Sequence, residues 1–460
     1  MLRGIVDWMR VGAMCLACAV ATKAAPVLMI SIDGMKPEYV TKADEHGLKL
    51  PTLRAILREG AHAEGVVGVW PTVTYPSHTT LVTGVWPAEH GIASNLQFDP
   101  LQSHDGAWYW YASQIKVPTL WTAAHKAGVK TASIGWPVSV GARDVDDLIP
   151  EFWRYYGANT QPNPEDRRLM AALARPETLF DELEPTAGPY MMGNDTRLEG
   201  DEAKTRYALA ELQLHKPGLM TLHLSSLDEA EHEHGPFSAE ADATLEAIDG
   251  MVGRLRAAAL ANDPDAVVVV VSDHGFETIT HAVNLAIPFI KAGLVEVGVN
   301  ADGKTPKLKD WTAEPWMSGG MAAVVVRDAS NAETMARVHA LLDALKRDPA
   351  NGVAEVLDKK EIARRGGFPE AEYLIVFKPG YYTGAALAGE LVTEIKGSRG
   401  SHGFTPEDPQ MRASFFATGK GIAAGRDLGV VDMRRIAPTV AGLLGVTLPT
   451  AKAEALAVRP

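Results

Sequence analysis

Continuous apolar runs, rather than alternating ones, set the pattern of this chain. Val27 to Ile32, Leu219 to Leu224 and Ala266 to Val271 are mostly apolar. They end respectively at Asp33-Gly34, at Ser225-Ser226-Leu227-Asp228 and at Ser272-Asp273-His274-Gly275. Such runs predict strands buried on both faces, as at the centre of a parallel sheet. Lys130 to Gly135, Ala413 to Ala417 and Gly65 to Val69 are weaker strand candidates. Helical patterns lie between them, over Pro51 to Arg58, Pro118 to Ala127, Asp201 to His215, Ala239 to Leu260 and Ile436 to Leu444. This alternation predicts an α/β fold, with a central, mostly parallel sheet and helices on both faces. In such sheets functional side chains gather at the carboxyl ends of the strands.

Two stretches interrupt the pattern. Residues 141–200 are rich in proline, acidic and aromatic residues, including Trp153, Tyr155 and Tyr156, and read as an insertion over or beside the site. Residues 278–400 carry a separate pattern: strand Met321 to Val326, helix Ala332 to Lys346 and strand Tyr373 to Phe377. They read as a smaller α/β insertion or lid. The catalytic core is therefore expected over residues 26–277 and again over 401–448, with 449–460 as a flexible tail.

The amino end changes the expected compartment. Arg3 and Arg10 precede the apolar run Val11 to Thr22, and small residues from Ala21 to Ala25 offer a cleavage site. Residues 1–25 thus read as a signal peptide. No later stretch of about 18 apolar residues replaces it, so no membrane span is expected in the mature form. The only cysteines, Cys15 and Cys18, lie inside this segment, so the mature chain would hold no disulfide. Neither is preceded by a convincing lipoprotein pattern. The expectation is an exported protein, periplasmic or secreted. A formal charge of −13 argues against gripping long nucleic acid. It leaves room for a small phosphate ester, because bound cations reverse the local field.

Candidate chemistry sits at the strand ends. Asp33, Asp273 and His274 follow apolar strands, Asp228 and His232 are four apart as on one helical face, and His402 lies in Ser401-His402-Gly403. Three carboxylates and three imidazoles suit zinc or another first-row divalent ion. Each residue alone has an ordinary reading. An aspartate after a strand often caps a turn, and His232 lies in a charged run with Glu231, Glu233 and His234. Together they gain weight because an open sheet brings strand ends to one edge. A nucleophile is expected in Trp70 to Thr80, where a strand candidate leads into a helical run. A hydroxyl there meets the positive end of a helix, which favours a phosphoryl group. A nearby metal lowers its pKa in place of a general base. On composition alone Thr72, Thr74, Ser77, Thr79 and Thr80 are equivalent.

Several ordered blocks resemble the nucleotide pyrophosphatase/phosphodiesterase family of the alkaline phosphatase superfamily. They are Ile32-Asp33-Gly34, Pro71-Thr72-Val73-Thr74-Tyr75-Pro76-Ser77-His78, Thr83-Gly84-Val85-Trp86-Pro87-Ala88-Glu89-His90-Gly91-Ile92, Asp228 to Pro236, Ser272-Asp273-His274-Gly275 and Ser401-His402-Gly403. The resemblance spans roughly Val27 to Thr447. It implies an alkaline-phosphatase-like fold and two divalent metal ions, zinc first among the candidates. It implies Thr74 as nucleophile, with Asp228, His232 and His402 holding one ion. Asp33, Asp273, His274 and the oxygen of Thr74 would hold the other, and Asn95 would hydrogen-bond a phosphoryl oxygen. The implied reaction is cleavage of a phosphodiester or pyrophosphate bond through a phosphothreonine intermediate. The implied substrate is a nucleotide or a phospholipid-derived diester. Tyr75 stands where nucleotide-cleaving members place an aromatic side chain on the base, and is expected to touch substrate. His223 stands where those members often have a tyrosine, a departure at a second expected substrate contact. Sulfatases are disfavoured, since the mature chain lacks cysteine and Thr74 lies in no sulfatase-like motif. A phosphomonoesterase or phosphonate hydrolase is the runner-up, and an inactive secreted binding protein is the alternative from another class.

Overall fold

A computed structural model describes residues 24–104, 107–152, 164–190, 197–300 and 304–460. In chain order the strands of the two main sheets are β1 (Val27–Ile32), β2 (Ala61–His62), β3 (Thr131–Ile134), β4 (Asp147–Ile149), β5 (Leu219–Leu224), β6 (Val267–Val271), β7 (Ala313–Ser318), β8 (Met321–Val326), β9 (Val353–Asp358), β10 (Tyr373–Phe377), β11 (Phe415–Thr418) and β12 (Arg426–Asp427). The central sheet has eight strands in the order β12-β2-β11-β6-β1-β5-β3-β4. The five from β6 to β4 run parallel. β11 is antiparallel to both neighbours. The fold is thus α/β, with a mixed sheet whose central strands are parallel.

The apolar runs explain why both faces are covered. Successive side chains on a strand point to opposite faces. Leu28, Ile30 and Ile32 therefore join Val268 and Val270 on one face, under the helices Leu198–Leu214 and Ala239–Asn262. Val27 and Met29 join Val267, Val269 and Val271 on the other, under Leu120–Lys126 and Ile436–Leu443. Burying both faces removes apolar area from water at about 25 cal/mol per Å². This is why these strands carry no polar alternation.

The second sheet, in the order β7-β8-β10-β9, is antiparallel throughout. It carries the helix Ala332–Arg347. The insertion keeps the expected alternation, with the helix Ala332–Arg347 between β8 and β9 and the helix Lys359–Arg365 between β9 and β10, but its strands pair antiparallel. Pro315 lies in β7, an edge strand, where a missing N–H costs no ladder bond. The β7–β8 hairpin presses on the segment that carries His402. Gly320 N–H donates to His402 O at 3.0 Å. Gly319 (φ 68°) and Gly403 (φ 83°) face each other so closely that a Cβ on Gly403 would lie 2.2 Å from Ser318 O. Only glycine permits that approach at positive φ.

Two expectations need correction. Residues 141–200 are not wholly an insertion, because β4 completes the central sheet. The aromatic residues Trp153, Tyr155 and Tyr156 lie outside the described residues. Gly65–Val67 forms a strand where one is expected, and pairs with Val430–Asp432 in a separate two-stranded sheet. Residues 449–460 are not a loose tail. Leu456 and Val458 are buried against the helix Ile436–Leu443, and Leu456 N–H donates to Thr439 Oγ1 at 2.7 Å. The two apolar side chains supply an anchor that a short polar end would lack.

Candidate metal centre and active site

The carboxyl edge of the central sheet collects the acidic and histidine residues. Asp33 leaves β1, Asp273 and His274 leave β6, and the helix Ser226–His234 leaves β5 with Asp228 and His232 on it. Asp201 fixes that helix by accepting from the N–H groups of Ser225 and Ser226, both at 2.9 Å. His402 arrives from the segment after the second sheet. The six side chains fall into two groups, Asp33 with Asp273 and His274, and Asp228 with His232 and His402. The rings of His274 and His402 stack at 3.7 Å between centroids and join the groups.

The donor chemistry fits two divalent cations. Each histidine has its Nδ1 on a backbone carbonyl: His232 on Gly400 at 3.0 Å, His402 on Thr72 at 3.1 Å and His274 on Gly275 at 3.2 Å. A proton fixed on Nδ1 leaves the Nε2 lone pair for a ligand. All three Nε2 atoms point at carboxylates. His274 lies 3.3 Å from Asp33 Oδ1 and 3.2 Å from Asp273 Oδ2. His232 lies 3.5 Å from Asp228 Oδ2, and His402 lies 3.6 Å from Asp228 Oδ1. Asp33 Oδ1, Asp228 Oδ1 and Asp273 Oδ2 are buried with no hydrogen-bond partner among the described residues. Leaving such oxygens unpaired is costly, and a cation between them relieves the cost.

The electrostatics agree. Burial, then the charge of Asp228, pushes Asp33 well above the usual carboxylate range; burial, then Asp33, does the same to Asp273. Burial, then the neighbouring His402, holds His274 well below the usual imidazole value. His402 is pulled down to about 4, chiefly by burial. Neutral imidazoles beside crowded carboxylates form a donor set waiting for positive charge.

Thr74 is the first residue of the helix Thr74–Thr83. Its Oγ1 lies 3.5 Å from His274 Nε2 and so borders the first group. The rival hydroxyls are turned away. Thr72 donates to Phe404 O, Thr79 to Tyr75 O and Thr80 to Val85 O, while Ser77 is fully buried. Asn95 stands beside Thr74, accepting at Oδ1 from the Tyr75 N–H at 2.9 Å. That bond fixes the amide's orientation and leaves its nitrogen as the donor.

Two expected substrate contacts are not in the cleft. Tyr75 is 1% exposed, and its hydroxyl donates to Glu151 at 2.6 Å. His223 is also 1% exposed, with Nδ1 at 2.8 Å from Glu151 and Nε2 at 2.9 Å from Asp33 Oδ2. Both side chains turn inward because Glu151 lies behind the site. The sequence pattern does not single out Glu151, nor His78, whose Nδ1 bonds Thr74 O at 2.9 Å and lies 3.5 Å from Asp273 Oδ2. One signal for this network does exist: a histidine inside the wholly buried strand β5 requires polar partners. A third group, Asp147, Glu211 and His215, is also within reach of a single ion. It differs from the other two, since Lys130 pairs with Asp147 at 2.7 Å and His215 bridges Glu211 and Glu182 through both nitrogens.

The family model for type I phosphodiesterase / nucleotide pyrophosphatase matches residues 27–405. The chain belongs to this family. Ectonucleotide pyrophosphatase/phosphodiesterase family member 1 of Mus musculus is 26% identical over 270 residues, which cover 56% of this chain and 25% of that protein. The venom phosphodiesterase of Naja atra is 24% identical over 274 residues, covering 57% of this chain and 28% of its own length. The chain thus spans about a quarter of the length of the curated relatives it matches. Among solved structures, murine ectonucleotide pyrophosphatase/phosphodiesterase 5 superposes with a TM-score of 0.63 at 18% identity, covering 94% of this chain and 97% of that one. An inactive variant of that protein, in complex with AMP, superposes equally well. These likenesses establish the fold. No helix among the described residues is long and apolar enough to cross a membrane.

Proposed function

We propose that this chain is an exported two-metal hydrolase that cleaves phosphodiester or pyrophosphate bonds through a phosphothreonine intermediate on Thr74. Asp228, His232 and His402 hold one divalent cation, and Asp33, Asp273, His274 and the Thr74 oxygen hold the other. Zinc leads the candidates because the donors are imidazole nitrogen and carboxylate oxygen. When bound, such ions lower the pKa of the threonine hydroxyl and stabilise the leaving oxygen.

The observation that carries this reading is the placement of Thr74. Its hydroxyl sits at a helix start, against His274 and beside Asn95. The helix end favours the phosphoryl charge. Asn95 donates from its amide nitrogen to a phosphoryl oxygen, where charge is held throughout the reaction. Thr74 attacks phosphorus, an ester forms, and the alcohol or phosphate departs. Water then attacks the same phosphorus and frees the threonine.

The substrate is a small phosphate ester such as a nucleotide or a phospholipid-derived diester. The names of the relatives support the nucleotide, whereas the inward Tyr75 withholds the aromatic face expected on a base. A diester is favoured over a monoester by the placement of Lys204, a buried cation near Asp33. It is engaged by Asp201 and Ser225, both at 3.0 Å, rather than presented to a second phosphate charge. The test is hydrolysis of a nitrophenyl phosphodiester and the matching monoester by zinc-reconstituted protein. The diester should be preferred, and Thr74→Ala should lower kcat by on the order of 10⁴ or more. A Thr74→Ala protein with near-normal turnover would remove the nucleophile.

A further inference from the structure

Glu151 occupies an unusual position for a carboxylate in this fold. It follows β4, the edge strand, at the same carboxyl edge as the metal-ligand candidates, and it is 3% exposed. Each of its oxygens has one partner from a different side of the site. Oε1 accepts from the Tyr75 hydroxyl at 2.6 Å, and Oε2 faces His223 Nδ1 at 2.8 Å. The Tyr75 backbone holds Asn95, and the other nitrogen of His223 holds Asp33 Oδ2 at 2.9 Å. One bonded path thus runs Asn95–Tyr75–Glu151–His223–Asp33, passing behind Thr74.

The division of labour within Asp33 gives this path a purpose. Its Oδ2 is taken by His223, while its Oδ1 is without a partner among the described residues and lies 3.3 Å from His274 Nε2. A carboxylate held at one oxygen presents the other in a fixed direction. Carboxylates that ligate metals are ordinarily held in this way by outer partners, whose loss weakens binding roughly 10- to 100-fold. The cluster of Asp228, His232 and His402 has no share in the path.

We infer that Glu151 and His223 are positioning residues: they aim Asp33 at the cation it shares with Asp273 and His274, and they anchor Tyr75, with Asn95 on its backbone, at the opposite side of the nucleophile. The inference rests on the two-metal reading above. It adds that the two cation positions respond differently to a change at Glu151, and that Tyr75 is a structural arm of the site rather than a platform for substrate.

The test uses zinc itself, measured by chelator competition, so that it does not depend on turnover. In an Asp228→Ala background, which removes the carboxylate of the other cluster, a single zinc should remain on the Asp33 group. Adding Glu151→Gln should weaken that zinc by roughly 10- to 100-fold. In an Asp273→Ala background, which leaves the zinc on the Asp228 group, the same Glu151→Gln change should leave affinity unaltered. Tyr75→Phe deletes one hydroxyl at little risk to folding and should weaken the Asp33-group zinc in the same direction by a smaller factor. Unchanged affinity at the Asp33 group, or equal losses at both groups, would overturn the inference. Failure of the two-metal reading is separately visible, since the unaltered protein would then bind fewer than two zinc ions.

Discussion

Each candidate ligand histidine in this site is settled by an ordinary backbone carbonyl. Gly400, Gly275 and Thr72 each take one Nδ1, and the metal-facing nitrogen follows from that choice. Asn95 is settled in the same manner by the Tyr75 N–H. Because its remaining donor is aimed by a bond on its far side, Asn95→Ala should behave as the loss of one preorganised donor. Turnover of the diester should fall by roughly 10²–10³ with zinc content unchanged. Steady-state kinetics with a parallel metal assay decides this, and a fall in bound zinc would assign Asn95 a different role. At this scale the sequence is informative where chemistry and position coincide. Asp33, Asp273 and His274 stand at the ends of unbroken apolar strands, so their polarity is conspicuous. Glu151 is hidden because it follows a three-residue strand in a proline-rich, acidic stretch that resembles an insertion. The inward turn of Tyr75 and His223 depends on Glu151, so it is hidden too.

Among the elements, the long parallel strands and their covering helices are legible because a continuous apolar run can satisfy both of its faces only between two covering layers. The strand Val27–Ile32 has the boundaries its pattern predicts, and the helix Ala239–Asn262 starts where expected, with Ser238 accepting from the Ala241 N–H. The strands of the second sheet are less legible. β9 faces solvent at several positions, and β7 contains a proline. β7 also carries Glu314, which is 6% exposed, has Oε2 unpaired among the described residues, and is pushed up to about 8 by burial alone. The sign of its effect on stability follows. Between the ordinary carboxylate value of 4.5 and about 8, the folded chain keeps a proton that the unfolded chain has released. Its contribution is therefore fully present below 4.5 and is lost as pH rises through about 8, with a slope of up to about 1.4 kcal/mol per pH unit. Urea denaturation from about pH 5 to about pH 8 should show Glu314→Gln gaining on the unaltered protein as pH rises. Parallel stability curves would contradict the burial of an unpaired carboxylate at this position.

For the molecule as a whole, the fold places two kinds of support around one edge of the sheet. The central strands supply Asp33, Asp273, His274 and the helix bearing Asp228 and His232, while the β7–β8 hairpin packs on the segment bearing His402. The acidic chain, at −13, gathers Asp33, Asp228 and Asp273 at this edge, where bound cations would neutralise them. The α/β class and the family are legible because the motif blocks keep their order along the chain. The docking of residues 449–460 is not, because two apolar side chains in a short end segment give no periodic signal. As the proposed nucleophile, Thr74 is covalently modified during turnover. Acid quenching of zinc-reconstituted enzyme during diester hydrolysis, followed by peptide mass spectrometry, tests it most directly. The expected result is a phosphoryl ester on Thr74 that disappears when substrate is exhausted; turnover with Thr74 unmodified at every quench time, or an ester on a neighbouring hydroxyl, would contradict the role of Thr74.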